Sequence, residues 1–181
     1  EAGCQCDQFG NGCSWRAIGT QRRDIERGDR NLYIKDKESG EIYSANRNHA
    51  DLPFDKHECH VGLGYQTIVS EYKNIATEFT ILTPIKGAVT LFRVKVKNTG
   101  ATARDIGLYF CILPKPDLSW HGAYGYAEYS ERMNALLYHH DGFDLANDYT
   151  KLFVACDKKF NAYDLAHEQF RGDDNGYHNP I

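Results

Sequence analysis

The segment Trp120-His121-Gly122-Ala123-Tyr124-Gly125-Tyr126 sets large flat rings among glycines in a predicted loop. Aromatic faces stack on the C–H faces of a pyranose, and loops carry binding groups more often than the scaffold beneath them. The plainer reading is a loop that plugs the edge of a sheet, because aromatics pack more often than they bind. Trp15 and Arg16 carry the same two readings with less around them. The candidate sugar contacts are therefore Trp120, His121, Tyr124, Trp15 and Arg16.

Other reactive residue types are grouped in ways that do less. Cys4-x-Cys6, with Cys13 further on, offers three thiolates that a histidine could complete into a tetrahedral zinc site. The Cys-x-x-Cys spacing is missing and no paired partner is evident, so small unligated thiols are expected and no metal is assigned. Cys59, Cys111 and Cys156 fall among apolar strand residues and read as core. On a strand His57 and Cys59 share one face while Glu58 and His60 share the other, so adjacent members of that cluster point apart. Asp36, Glu38 and Glu41 flank a hairpin turn, where carboxylates are ordinarily solvated. His139-His140 reads as a strand end. No catalytic residue and no cofactor follow from these groups.

The elements that must hold the candidates are strands. From about Leu32 onward, short β-branched or aromatic runs alternate with turn residues, the pattern of an antiparallel sandwich. Leu32-Tyr33-Ile34-Lys35, then Gly40, then Ile42-Tyr43-Ser44 predicts a hairpin in which Gly40 takes a positive φ. Residues 65–72 and 75–84 predict a second hairpin around Lys73-Asn74. In 89–97, Phe92, Val94 and Val96 share one face and Arg93, Lys95 and Lys97 the other, giving one dry and one wet side. Residues 103–113 are apolar on both faces and predict a central, doubly buried strand. Further strands are expected at 135–138 and 152–156. Residues 1–30 show little periodicity and read as a loop-rich lead-in, leaving 31–181 as the sandwich domain. Both ends look cut, so the sandwich is expected to be truncated at each.

Composition excludes several classes. The chain has 181 residues, enough for one domain with a real core. Its 25 acidic and 21 basic residues are mixed along the length, without the basic stripe that neutralises a polynucleotide. Its apolar runs fall far short of the ~20 residues of a membrane span. Neither nucleic acid nor membrane is an expected partner. Six cysteines in a chain this long need no disulfide framework, which makes the cytoplasm the expected compartment.

Six weak motifs in order carry a resemblance. They are Leu32-Tyr33-Ile34-Lys35-Asp36 running through Ser39-Gly40-Glu41-Ile42-Tyr43-Ser44; Glu58-Cys59-His60-Val61-Gly62-Leu63-Gly64-Tyr65; Ser70-Glu71-Tyr72-Lys73-Asn74-Ile75; Val96-Lys97-Asn98-Thr99; Phe153-Val154-Ala155-Cys156; and Phe170-Arg171-Gly172. Together they resemble the N-terminal β-sandwich domain of the cellobiose and chitobiose phosphorylases, glycoside hydrolase family 94, formerly glycosyltransferase family 36. The second motif is similar to the family's Glu-Cys-Arg-His-Gly-Leu-Gly-Tyr.

The resemblance implies an all-β antiparallel sandwich of the galactose mutarotase-like super-sandwich type. It precedes a helical linker and an (α/α)6 barrel that holds the chemistry. There an Asp protonates the glycosidic oxygen of a β-linked glucoside while inorganic phosphate attacks the anomeric carbon, inverting it and releasing an α-sugar 1-phosphate. Phosphate being the nucleophile, no second carboxylate is needed to activate water. The sandwich is implied to be non-catalytic, to lend a loop to the acceptor-sugar site and to help form a homodimer. In the family a Phe-Gln-Arg-Asn stretch reaches the acceptor. The corresponding Trp120-His121-Gly122-Ala123 has Gly122 where the Arg stands, which removes a planar fork of donors and leaves the acceptor sugar open. Two other functions compete. A free-standing carbohydrate-binding module needs no further domain, and a mutarotase-like epimerase needs a His and a carboxylate converging in a cleft.

Overall fold

The computed structural model describes residues 2–18, 20–46, 52–114, 124–141, 150–166 and 170. In chain order the strands are β1 (Ala2–Cys6), β2 (Gly12–Ile18), β3 (Gln21–Asp24), β4 (Glu26–Asp36), β5 (Ile42–Ser44), β6 (Lys56–Gly62), β7 (Tyr65–Tyr72), β8 (Ile75–Leu82), β9 (Leu91–Asn98), β10 (Ile106–Pro114), β11 (Tyr124–Ser130), β12 (Ala135–Asp141) and β13 (Thr150–Ala155). Among the described residues they pair antiparallel in four sheets, ordered β1-β2-β3, β10-β4-β5, β6-β7-β8-β9 and β11-β12-β13. The expected all-β antiparallel sandwich is the fold the chain adopts.

The four-stranded sheet follows directly from side-chain alternation. Ile68, Ser70 and Tyr72 on β7 and Ile75, Thr77 and Phe79 on β8 are buried on one face. The strands are joined by Lys73 (φ 48°) and Asn74 (φ 64°). A two-residue turn with both φ values positive matches the right-handed twist of the flanking strands, which is why this hairpin closes so tightly. On β9, Phe92, Val94 and Val96 turn inward and Arg93, Lys95 and Lys97 outward, as predicted.

Leu32 and Ile34 of β4 and Tyr43 of β5 close the core from the opposite sheet. Phe79 belongs to the same core, 1% exposed, stacked on Phe92 at 6.0 Å and edge-on to Phe110 at 6.0 Å. Burying a ring of this size stabilises the fold by roughly 1.5–3 kcal/mol relative to leaving it in water. The first hairpin is as predicted, β4 turning into β5 through Gly40 at φ 76°.

Three expectations are corrected. Residues 1–30 are not loop-rich: they contain β1, β2, β3 and the start of β4. Periodicity fails there because the inward positions carry Cys, Ser, Glu and Arg in place of apolar residues. The link between β1 and β2 is held by Asp7, whose Oδ1 accepts from the backbone of Phe9 (2.8 Å) and Asn11 (3.0 Å).

The strand over 103–113 is not central. β10 borders its sheet among the described residues, leaving Leu108 and Tyr109 exposed, while β4 holds the middle. Fully buried Arg30 and Asn31 disguised β4 in the sequence. Asp36 is buried, not solvated, because Arg104 reaches across from the segment before β10 to pair with it.

Candidate functional site

The β11-β12-β13 sheet assembles a ring-and-carboxylate surface. Register sets Tyr126 opposite His139, and Glu128 opposite Leu137, which in turn faces Phe153. Directly opposed residues project from the same side of a sheet, so all five share one face. Tyr126 stacks on His139 with ring centroids 4.8 Å apart and planes 13° from parallel. The His139 Nε2 lies 3.0 Å from Glu128 Oε1. Tyr126 is 55% exposed and Phe153 58%.

The other face fixes this arrangement. Tyr129 stacks on Tyr163 at 4.9 Å, and its hydroxyl donates to Asn134 Oδ1 at 3.0 Å. Asn134, at φ 46°, turns β11 into β12 and donates from Nδ2 to the carbonyls of Cys156 (2.8 Å) and Lys158 (2.7 Å). A left-handed Asn that ties down the chain on both sides makes the hairpin a rigid mount. What the outer face can do is stack on a sugar ring and accept hydroxyl protons at Glu128.

The predicted contacts are distributed differently. Trp120 and His121 lie outside the described residues. Tyr124 opens β11 opposite Asp141, making the 124–126 end of the predicted loop a strand; its side chain lies outside the described residues. Arg16 sits on β2 opposite Ala2 and Arg23, and its side chain likewise lies outside them. Trp15 is half-buried, packed on Gly3, where an added Cβ would come within 2.6 Å of the ring, with the Arg22 guanidinium 5.3 Å from its centroid. Those contacts tie Trp15 to its own sheet. Sequence reasoning missed His139 and Glu128. The signal was present in the period-two spacing of Tyr124, Tyr126 and Glu128 against Leu137 and His139.

A further carboxylate pair lies on β6. On β6, Glu58 and His60 pair at 3.0 Å on the exposed face, with Lys56 3.2 Å from Glu58. Hydrogen bonds from His60 and Lys56 hold the Glu58 carboxyl below its usual range. Cys156, expected in the core, is exposed at the end of the β13 segment. Among the described residues no group of three or more His, Cys, Asp or Glu side chains gathers as metal ligands would, and no helix is long and apolar enough to cross a membrane.

A second polar cluster lies at the β1-β2-β4 junction. Arg30 is 0% exposed and donates to Ser14 Oγ (3.0 Å), to Cys4 Sγ (3.1 Å), to Cys6 Sγ (3.2 Å) and to Glu26 Oε1. Glu26 also accepts from the Ser14 backbone at 2.7 Å, and Ser14 Oγ meets Thr90 Oγ1 at 2.8 Å. The guanidinium lies over Phe92 at 5.6 Å.

Comparison with known proteins sets this geometry in a family. The model of the glycosyl hydrolase 94 supersandwich domain matches residues 3–181. The chain is 24% identical over 149 residues to solabiose phosphorylase of Paenibacillus borealis, covering 80% of this chain and 19% of the relative. It is 27% identical over 159 residues to cellobionic acid phosphorylase of Neurospora crassa, covering 82% and 19%. It is 30% identical over 105 residues to 3-O-beta-D-glucopyranosyl-beta-D-glucuronide phosphorylase of Paenibacillus borealis, covering 58% and 14%. The chain thus spans 19% of the length of the first two relatives. With its antiparallel sandwich and a match running from residue 3 to residue 181, this chain belongs to the supersandwich domain family of glycosyl hydrolase 94.

Proposed function

We propose that this domain is a non-catalytic part of an inverting β-glucoside phosphorylase, which converts a β-linked disaccharide or oligosaccharide and phosphate into an α-sugar 1-phosphate. The observation that carries the reading is the family match over nearly the whole chain, combined with phosphorylase relatives of which it covers 19%. In this reading the acid that protonates the glycosidic oxygen comes from sequence outside residues 1–181, and phosphate attacks from the opposite face. The domain contributes to the acceptor-sugar site and to subunit contacts in a cytoplasmic homodimer.

The Tyr126–His139 face supports the acceptor role. It follows in sequence the Trp120-His121-Gly122-Ala123 stretch that the family resemblance points to, and it offers a ring platform with Glu128 as an adjoining acceptor. The same face favours the second reading, a carbohydrate-binding module acting without a barrel.

The test uses the longest natural polypeptide that carries this domain. Incubated with a β-glucobiose and phosphate, it should release sugar 1-phosphate with the α configuration, read by proton NMR at the anomeric position. A β-configured sugar 1-phosphate would remove inversion, and hydrolysis without phosphate uptake would remove the phosphorylase reading. Binding of oligosaccharide with no turnover would select the module.

A further inference from the structure

The thiols of Cys4 and Cys6 do more than fill space. They are two residues apart on β1, so both project from the same side of the strand, and their sulfurs are 3.3 Å from one another. Each sulfur also receives a hydrogen bond from Arg30 Nη1. β1 borders its sheet among the described residues, and both cysteines are half-buried, leaving a path for a small reagent. Cys6 lines a shallow open depression with Gln5, Asp7, Asn11 and Gly12.

The charge on this pair decides which chemistry fits. A buried guanidinium aimed at both sulfurs stabilises a thiolate and opposes a metal cation in the same place. We propose that Cys4 and Cys6 form a reversible redox pair, oxidised to an intra-strand disulfide by low-molecular-weight disulfides such as oxidised glutathione. Cys4 is the attacking residue. The Cys6 thiol, hydrogen-bonded to the Cys4 sulfur, and the Arg30 charge together hold the Cys4 thiol down at about 6 against the opposing effect of burial; the same contact pushes Cys6 up.

The exchange balances. The Cys4 thiolate, having given its proton to solvent, attacks one sulfur of the reagent RSSR. A Cys4–S–S–R bond forms and one RS⁻ departs. That RS⁻ takes the Cys6 proton and leaves as RSH. The Cys6 thiolate then attacks Cys4 Sγ, the Cys4–SR bond breaks, and the second RS⁻ takes up the proton released at the start. Two thiols have been oxidised by two electrons and one disulfide reduced to two thiols.

Strand geometry makes the product labile. Two residues along a strand advance the chain about 6.6 Å. That sits at the long end of the ~4.4–6.8 Å that disulfide Cα atoms span and above the ~5.5–6 Å most bridges adopt, so a puckered β1 favours closure of the bond. A strained bridge is readily reduced, which suits a switch over a staple.

The test uses the full chain in native glutathione buffers of increasing oxidised fraction, quenched with acid and alkylated. Trypsin releases residues 1–16, which hold Cys4, Cys6 and Cys13 together. The expected product is that peptide lacking two hydrogens and alkylated once, with fragmentation placing the bridge between Cys4 and Cys6. In the Cys6→Ser variant a single glutathionyl group should accumulate on Cys4. Before oxidation, Cys4 should alkylate about tenfold faster than Cys156 at neutral pH. A bridge to Cys13, or Cys4 and Cys6 remaining reduced throughout with Cys4 reacting no faster than Cys156, would overturn the proposal. None of these outcomes depends on the phosphorylase reading.

Discussion

Asp36, at the end of β4, and Arg104, ahead of β10, form an ion pair across 68 residues of sequence. Asp36 Oδ1 also accepts from the backbone of Glu38 at 2.9 Å and Ser39 at 3.3 Å, so one carboxylate closes the first hairpin and clasps a neighbouring strand. The Arg104 hydrogen bond, then the Glu38 backbone, hold its carboxyl below the ordinary range. A group whose pKa is lowered on folding contributes stability that is present above its unfolded value, near ~4, and is lost as pH falls through the folded value. Thermal melts between neutral and strongly acid pH should therefore show Asp36→Asn less stable than the parent at neutrality, with a shallower decline in acid. Parallel declines would contradict the clasp.

Glu26 and Arg30 are buried together, at 2% and 0% side-chain exposure. Removing one partner strands the other charge, so Glu26→Gln should cost about 3–5 kcal/mol in urea unfolding. The double change Glu26→Gln with Arg30→Met should recover most of that loss, because no unpaired charge remains. Losses that simply add would mean the pair is not coupled.

Core and tip positions should separate clearly. Phe79→Ala removes the ring that packs against both Phe92 and Phe110 and should destabilise by about 3–5 kcal/mol. Leu63, fully exposed between β6 and β7, should tolerate Ser within ~0.5 kcal/mol by the same measurement.

Tyr126→Ala removes the ring that stacks on His139. On the proposed phosphorylase reading, in the longest natural polypeptide that carries this domain it should raise the acceptor KM in the synthetic direction about 2–10-fold, the value of one aromatic stack, and leave the KM for sugar 1-phosphate unchanged. Equal effects on both substrates would place this face away from the acceptor.

Much of the sandwich was legible because its strands obey period two and its turns use the residues their dihedrals demand. The hairpin at Lys73-Asn74 and the faces of β9 needed nothing beyond that. The N-terminal strands were hidden for a physical reason. Their inward positions hold Cys4, Cys6, Ser14 and Glu26, which satisfy one another around Arg30, and hydrophobic periodicity is blind to a buried polar network. β10 misled in the opposite sense, because apolar residues on both faces mark a strand without marking its place in a sheet. The aromatic segment at 120–126 includes Tyr126, but His139 and Glu128 join that residue only through strand pairing, which single-strand reading cannot supply.

In the proposed function this domain shapes a sugar site whose reactive acid lies elsewhere. Residues 1–181 alone, incubated with phosphate and cellobiose and followed by phosphorus NMR, test it most directly. No sugar 1-phosphate signal above a protein-free control is expected. A resonance that grows in proportion to the amount of this chain would contradict it.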